Sequence, residues 1–139
     1  MKWSEFFTSS VGKKFVMALS GLFLISFLIV HVGINACIYA GLLDDNDNGE
    51  IFNIAAHFMG AYYVIRILEI GLFAGFFVHI IQGYVLVGKN QAKRSVGYKV
   101  PMGSKGTAWY SKSMGLLGTL ILLFLVVHVS HFWVPSRIT

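Results

Sequence analysis

Three long apolar runs constrain this 139-residue chain more than any other feature. They extend from about 15 to 43, from about 62 to 88 and from 113 to 134, and only the second contains charged side chains, Arg66 and Glu69, near its start. Each run is long enough for an α-helix to cross a bilayer, which takes about 20 residues. A lone β-strand would leave its backbone N–H and C=O groups without hydrogen-bond partners in lipid. The sequence therefore predicts an all-α transmembrane helix bundle of three spans, in a single domain covering residues 1–139.

The scarcity of charge excludes an ordinary soluble domain. Charged residues make up 12% of the chain and apolar residues 56%, whereas a soluble domain carries about 25% charged residues to cover its core. The formal charge of +5 would suggest nucleic acid in a soluble protein. In a membrane protein the distribution of charge matters more than its sum, so no nucleic-acid partner is expected.

Cations and acids are sorted between the segments that flank the spans. The first connecting loop holds acids and no Lys or Arg: Asp44, Asp45, Asp47 and Glu50. The amino end and the second loop hold the cations: Lys2, Lys13 and Lys14, then Lys89, Lys93, Arg94, Lys99, Lys105 and Lys112. Because cytoplasmic loops carry the excess of Lys and Arg, the amino end is expected inside and the carboxyl end outside.

The acidic loop copies the beginning of a calcium-binding loop but not its end. Asp44, Asn46, Asn48 and Gly49 match the start of an EF-hand, whereas Ala55 occupies the twelfth position, where a bidentate Glu is needed. We interpret this loop as a solvated acidic turn. The apolar stretch 51–59 that follows is expected to lie along the membrane interface.

Four of the five histidines lie inside apolar runs, where ionisable side chains are costly and rare. They are His31, His79, His128 and His131. A single histidine of this kind usually forms a neutral hydrogen bond between helices. Because every span contains at least one, a shared ligand or a proton path is the better interpretation.

Two of these histidines are expected at the same depth in the membrane. At about 1.5 Å per helical residue, His31 lies roughly 25 Å beyond Lys14, and His128 lies roughly 24 Å beyond Lys112. Two imidazoles at one level are what six-coordinate haem iron requires. His79 lies roughly 15 Å from Lys89, on the returning helix, and does not share that level. His131 is the alternative to His128 and also fits an interfacial position or an outer-side quinone or proton contact.

Other metal centres fit the sequence less well. A zinc site needs about four close ligands, and Cys37 lies too far along its helix to complete one with His31. A covalently attached c-type haem needs a C-x-x-C-H motif, which the sequence lacks.

Small residues recur every fourth position around His79: Gly71, Gly75 and Gly83. Such a stripe leaves room for a porphyrin face, which makes Gly75 and Gly83 candidate haem-packing positions. The alternative is ordinary packing of small residues against a neighbouring helix.

The order and spacing of several segments resemble the cytochrome b membrane anchor of succinate dehydrogenase and quinol:fumarate reductase, in its five-span, two-haem form. The similar segments cover nearly the whole chain: Ser10–Gly21, Val30–Val32 with Asn35, Val78–Ile81, Trp109–Met114, and Val127–His128 with Phe132–Trp133. The resemblance reaches the third span of that family.

The resemblance implies two b-type haems within a larger haem-binding bundle. Its outer haem would be ligated by His31 and His128, and its inner haem by His79 and a histidine of a fourth span. This sequence holds no fourth span, so the partner of His79 is expected beyond residue 139 or on another chain.

The resemblance also implies a hetero-oligomer in the bacterial cytoplasmic membrane. A flavoprotein with FAD would interconvert succinate and fumarate, and an iron–sulfur subunit would pass electrons to the anchor on its cytoplasmic side. A menaquinone-type quinone would exchange those electrons in the membrane. The chain itself has no flavin or nucleotide motif, so it would carry no succinate chemistry.

Several polar residues are candidate contacts for these cofactors. Lys13, Lys14 and Arg94 are candidates for the propionates of an inner haem. Quinone reduction needs a proton donor, for which His57 is the best candidate, with an interfacial role as its alternative. Trp109 and Ser111 are candidates for an inner-side quinone pocket.

Two other functions stay open from the residues alone. One is a different membrane cytochrome b, such as a hydrogenase anchor. The other is a haem-free structural or proton-conducting subunit, in which the histidines bond across helices.

Overall fold

The computed structural model describes residues 3–92 and 109–138. In chain order its α-helices are α1 (Trp3–Thr8), α2 (Ser10–Ala36), α3 (Glu50–Ala61), α4 (Tyr63–Ala92), α5 (Trp109–Lys112), α6 (Met114–His128) and α7 (Val134–Ile138). A 3₁₀-helix, Cys37–Leu42, extends α2, and a π-helical turn, Val129–Trp133, joins α6 to α7. The described residues form no strand, so the predicted all-α fold class is confirmed.

Three helical segments are long and apolar enough to cross a membrane: Ser10–Leu42, Tyr63–Ala92 and Met114–Ile138. They match the three predicted spans to within a few residues at each end. None of the described apolar side chains is buried within the protein. Apolar surface of this kind suits lipid, which is as apolar as a leucine side chain.

A close approach of α1 fixes the beginning of α2. The Ser9 hydroxyl oxygen accepts a hydrogen bond from the Gly12 backbone N–H at 3.0 Å and so caps the helix. A Cβ atom at Gly12 would clash with the carbonyl oxygen of Phe6. Glycine is therefore required where α1 turns back against α2.

The acidic turn before α3 is organised by its own carboxylates. Asp44 Oδ1 accepts a hydrogen bond from the Asn46 backbone N–H at 3.0 Å. Asp47, which is only 7% exposed, accepts from the backbone N–H groups of Gly49 at 3.2 Å and Ile51 at 3.0 Å. Gly49 supports this turn with a left-handed φ of 84°. Asp47 thus satisfies the Ile51 amide in the first turn of α3, whose positive end also favours a negative charge.

The predicted interfacial stretch 51–59 forms a helix of its own. Tyr62 has an extended backbone (φ −81°, ψ 126°) and separates α3 from α4. The polar residues Glu50, Asn53 and His57 are among those that line an open depression beside the acidic turn. Apolar residues of α3, with Ile34 of α2, line an adjacent groove. The helix is therefore amphipathic, as an interfacial helix needs to be.

A proline explains the π-helical turn after α6. Pro135 has no backbone N–H, so it cannot donate to the carbonyl of His131 as an α-helix would require. The helix widens just before the proline: the backbone N–H of Val134 donates to the carbonyl of Val129, five residues earlier, and not to the carbonyl four residues earlier. The wider turn places His131 between α6 and α7 and outside the regular α-helix that contains His128.

The chain divides into two compact units, residues 1–83 and 84–139, whose boundary lies within α4. His31 and His79 belong to the first unit, and His128 and His131 to the second.

Candidate functional site

Side chains of α2 contact α4 along one line, which we call the α2–α4 seam. The residues that meet are Met17 with Gly83, Ser20 with His79, Phe23 with Gly75, and Phe27 with Phe76. Positions that rise along α2 meet positions that fall along α4, so the two helices run antiparallel. One of the four intramembrane histidines, His79, therefore lies within a helix–helix contact of the first unit.

The glycine stripe of α4 packs against α2. A Cβ atom at Gly75 would lie 2.9 Å from Phe23 Cε1, and one at Gly83 would lie 3.2 Å from Met17 Cε. A Cβ atom at Gly71 would meet nothing within 4 Å. These contacts are the small-residue packing that was the alternative to a porphyrin face. A haem face on Gly75 or Gly83 would require Phe23 or Met17 to move.

His79 is held at its Nδ1 atom. Ser20 Oγ lies 2.9 Å from His79 Nδ1 and also donates a hydrogen bond to the carbonyl oxygen of Met17 at 3.1 Å. Gly21 lies beside the ring, because a Cβ atom there would be 3.4 Å from His79 Cε1. Two neighbouring residues of α2 therefore set the position of this imidazole.

A second polar group lies one turn further along α4. Gln82 Oε1 is shielded from solvent and has no hydrogen-bond partner among residues 3–92 and 109–138. A buried amide oxygen without a partner is costly, more so where water is absent. Gln82 and His79 are three residues apart and share one side of α4.

His31 and His128 have the same local surroundings. In each case a phenylalanine four residues earlier stacks on the imidazole. The ring centroids of Phe27 and His31 are 5.2 Å apart, with 27° between the planes. Those of Phe124 and His128 are also 5.2 Å apart, with 24° between the planes. Both imidazoles are half-buried and presented from regular α-helix.

His128 has a second aromatic neighbour, which His131 lacks among the ring contacts of the described chain. The centroid of Phe132 lies 4.8 Å from that of His128. His131 is exposed and lies in the π-helical turn. The setting of His128 therefore resembles that of His31 more closely than the setting of His131 does.

None of the candidate quinone and propionate residues is among those that form the seam. His57 is exposed on α3 beside the acidic turn, and Trp109 is 70% exposed at the beginning of α5. Lys13 and Lys14 lie in the first turns of α2. Arg94 and the side chain of Ser111 fall outside the part of the chain that the structure describes.

Arg66 and Glu69, the two charged residues of the second apolar run, form an ion pair near the beginning of α4. Arg66 Nη1 lies 3.9 Å from Glu69 Oε2, one helical turn away. The Glu69 side chain is only 18% exposed. Pairing reduces the cost of placing both charges close to the apolar part of the helix.

The donor groups suit a haem better than a multi-ligand metal centre. No group of three or more His, Cys, Asp or Glu side chains that could hold a metal ion occurs among the described residues. Haem iron needs only one imidazole from each side, with apolar surroundings for the macrocycle. Half-buried imidazoles flanked by aromatic rings or by a hydroxyl fit that requirement.

Sequence reasoning missed Ser20, which belongs to the seam, and Gln82, which lies one turn from His79 on α4. The sequence places Ser20 only within the Ser10–Gly21 segment, and its partner His79 lies 59 positions away. The sequence does contain a signal for both residues. A hydroxyl or an amide inside an apolar run needs a hydrogen-bond partner, so Ser20 and Gln82 could have been identified as candidates for contacts between helices.

No family model, curated protein or solved structure matches this chain.

Proposed function

We propose that this chain is a haem b-binding membrane anchor of a succinate dehydrogenase or quinol:fumarate reductase, which passes electrons between an iron–sulfur subunit and a membrane quinone. His31 and His128 ligate the iron of one haem, and His79 ligates a second. A bound haem supplies one-electron chemistry, while the chain supplies the axial imidazoles and an apolar surrounding. The proposal rests on the histidine pattern and on the resemblance described above.

One observation carries this proposal. Each of the three membrane-length helical segments presents a half-buried imidazole that neighbouring side chains orient. Phe27 and Phe124 stack on His31 and His128, and Ser20 contacts His79. An isolated structural histidine would explain one such ring. A repeated arrangement in every segment favours a shared redox function.

The proposed topology follows from the sorted charges. The amino end and the Lys-rich second loop face the cytoplasm of a bacterium, where the flavoprotein and iron–sulfur subunits dock. The acidic turn faces outward. A basic cytoplasmic surface complements an acidic partner or anionic headgroups.

For the quinone, His57 is the proposed proton-exchanging residue. It lines the open depression beside the acidic turn, and Ile54 lines both that depression and the apolar groove of α3. A quinone has a polar ring and an apolar tail, so two adjacent sites of this kind suit it. The depression is open to water, which would supply the protons.

Spectroscopy of the purified chain tests the proposal. The dithionite-reduced minus oxidised difference spectrum should show a b-type band. His31→Ala and His128→Ala should each remove the same spectral component, and His79→Ala should spare it. His57→Ala, at an exposed position of α3, is the matched control and should leave every haem band unchanged.

Three results would contradict the proposal. Absence of a b-type band from the wild-type chain would exclude haem binding. If His31→Ala and His128→Ala lost different spectral components, the two histidines would not ligate the same haem. If the spectrum of His79→Ala kept all components, His79 would be excluded as the ligand of a second haem.

A haem-free structural anchor is the second candidate. The Ser20–His79 contact favours it, because a neutral imidazole bonded between helices needs no cofactor. The packing of Gly75 and Gly83 against α2 agrees with that function as well. For this candidate, His79→Ala would lower the stability of the chain without changing any visible absorption band.

A further inference from the structure

The hydroxyl of Ser20 has one proton and two neighbours that compete for it. The Met17 carbonyl oxygen, 3.1 Å away, can only accept a hydrogen bond. The other neighbour is His79 Nδ1, 2.9 Å away, which accepts or donates depending on the tautomer of the ring. If Ser20 donates to Met17, its oxygen is left to accept from His79.

With that arrangement, a neutral ring has only one tautomer that completes both hydrogen bonds. His79 carries its proton on Nδ1 and donates it to Ser20 Oγ, and Nε2 keeps its lone pair. The nitrogen that can bind a metal is thus fixed by the hydrogen bond of the other nitrogen, as in most metal-ligating histidines.

We propose that Ser20 is a positioning residue that holds His79 in the Nδ1–H tautomer and so presents Nε2 as the iron-binding atom. This inference rests on the proposed haem-binding function. Gly21 lies beside the same ring, since a Cβ atom there would be in van der Waals contact with Cε1 at 3.4 Å. Ser20 acts through His79 and contacts no iron itself.

Thr is the conservative replacement at this position, because it keeps the hydroxyl. Ala removes it. Ser26 provides a matched control on the same helix, since its hydroxyl donates to the Leu22 carbonyl oxygen at 2.9 Å. Ser26→Ala therefore removes a comparable hydroxyl-to-backbone bond from α2 without changing the surroundings of His79.

Nitrogen NMR of the histidine-labelled full chain, without added haem, tests the tautomer directly. A His79→Gln variant assigns the His79 signals. We expect Nδ1 protonated and Nε2 unprotonated in the wild type, in Ser20→Thr and in Ser26→Ala. Ser20→Ala should transfer the proton largely to Nε2. The inference is overturned if the wild-type ring carries its proton on Nε2, or if Ser20→Ala leaves the tautomer unchanged.

Haem titration provides the second measurement. Loss of a hydrogen bond to a metal-ligating histidine typically weakens metal binding about 10- to 100-fold. Ser20→Ala should weaken the His79-dependent haem by that factor, whereas Ser20→Thr and Ser26→Ala should bind it as the wild type does. Equal affinity in Ser20→Ala and wild type would exclude the positioning role.

The two measurements separate this inference from the proposed function. If neither the wild-type chain nor native membranes that contain it show a His79-dependent haem, the function proposed for His79 is wrong, whatever the tautomer. If it binds that haem and Ser20→Ala binds it equally well, the function stands and the role of Ser20 is wrong. Circular dichroism of each variant confirms that the helices are retained.

Discussion

The Tyr84 hydroxyl lies 2.8 Å from Thr119 Oγ1 and connects α4 to α6 in the second unit. Thr119 donates its own proton to the Gly115 carbonyl oxygen at 2.8 Å, so Tyr84 is the donor of the pair. Nearby, a Cβ atom at Gly115 would lie 3.2 Å from Val87 Cγ2. A hydrogen bond between two helices thus coincides with a position of close helix approach.

Replacing Tyr84 with Phe should remove this interhelical hydrogen bond and keep the ring. Hydrogen bonds between membrane helices contribute about 0.6 kcal/mol on average, so we expect a loss of unfolding free energy of that order. Unfolding in detergent with increasing denaturant measures it. Tyr110→Phe, at an exposed position of α5, is the control. Equal stability of the two variants would contradict the prediction.

Replacing Gly75 with Ala should destabilise the α2–α4 seam. The added methyl group would lie 2.9 Å from the ring of Phe23, and forcing a group into a packed contact costs about 1–3 kcal/mol. Gly71→Ala should be neutral or stabilising, since nothing lies within 4 Å of its Cβ position and alanine favours the helix. Detergent unfolding of both variants tests the pair. The packing of the seam would be wrong if Gly71→Ala were the more damaging change.

Replacing Asp47 with Ala should loosen the first turn of α3. Loss of a side-chain cap costs about 1 kcal/mol, and here the amides of Gly49 and Ile51 would lose their acceptor. Hydrogen exchange at these two amides should accelerate. Asp45→Ala, which removes a neighbouring acid of the same turn, should leave their exchange rates unchanged. Similar acceleration in both variants would mean that net charge, and not the cap, stabilises the turn.

The proposed topology predicts which segments a membrane-impermeant thiol reagent can reach in intact cells. In a Cys37→Ser background, a cysteine at Asp45 should be labelled from outside. A cysteine at Lys105, in the basic second loop, should be labelled only after the membrane is permeabilised. The reverse labelling pattern would contradict the proposed orientation, because it would place the acidic turn on the cytoplasmic side.

The predicted spans agree with the structure because their signal is local. About 20 successive apolar residues have few options other than a membrane-length helix. The Arg66–Glu69 pair is local in the same sense, since its members are neighbours on one turn.

The residues that contact one another across the seam could not be predicted from the sequence, because these contacts depend on the rotation and register of the two helices. The glycine stripe identified a face of α4 without indicating whether a porphyrin or a neighbouring helix covers it. Phe23 and Met17 cover it in the structure, and neither has a feature that distinguishes it from other apolar residues of α2. The π-helical turn escaped prediction for a different reason: Pro135 lies at the end of an apolar run, where a proline usually indicates that a helix has ended.

The Ser20–His79 contact has a consequence for how the first unit assembles. Apolar side chains alone allow two membrane helices to slide past one another, since each new contact resembles the last. Displacing α4 by one turn would take the imidazole away from Ser20 and leave the Nδ1 atom of His79 without its partner in apolar surroundings, whereas Ser20 would keep its bond to Met17. The pair therefore favours one register of the helical hairpin, and it does so without a cofactor.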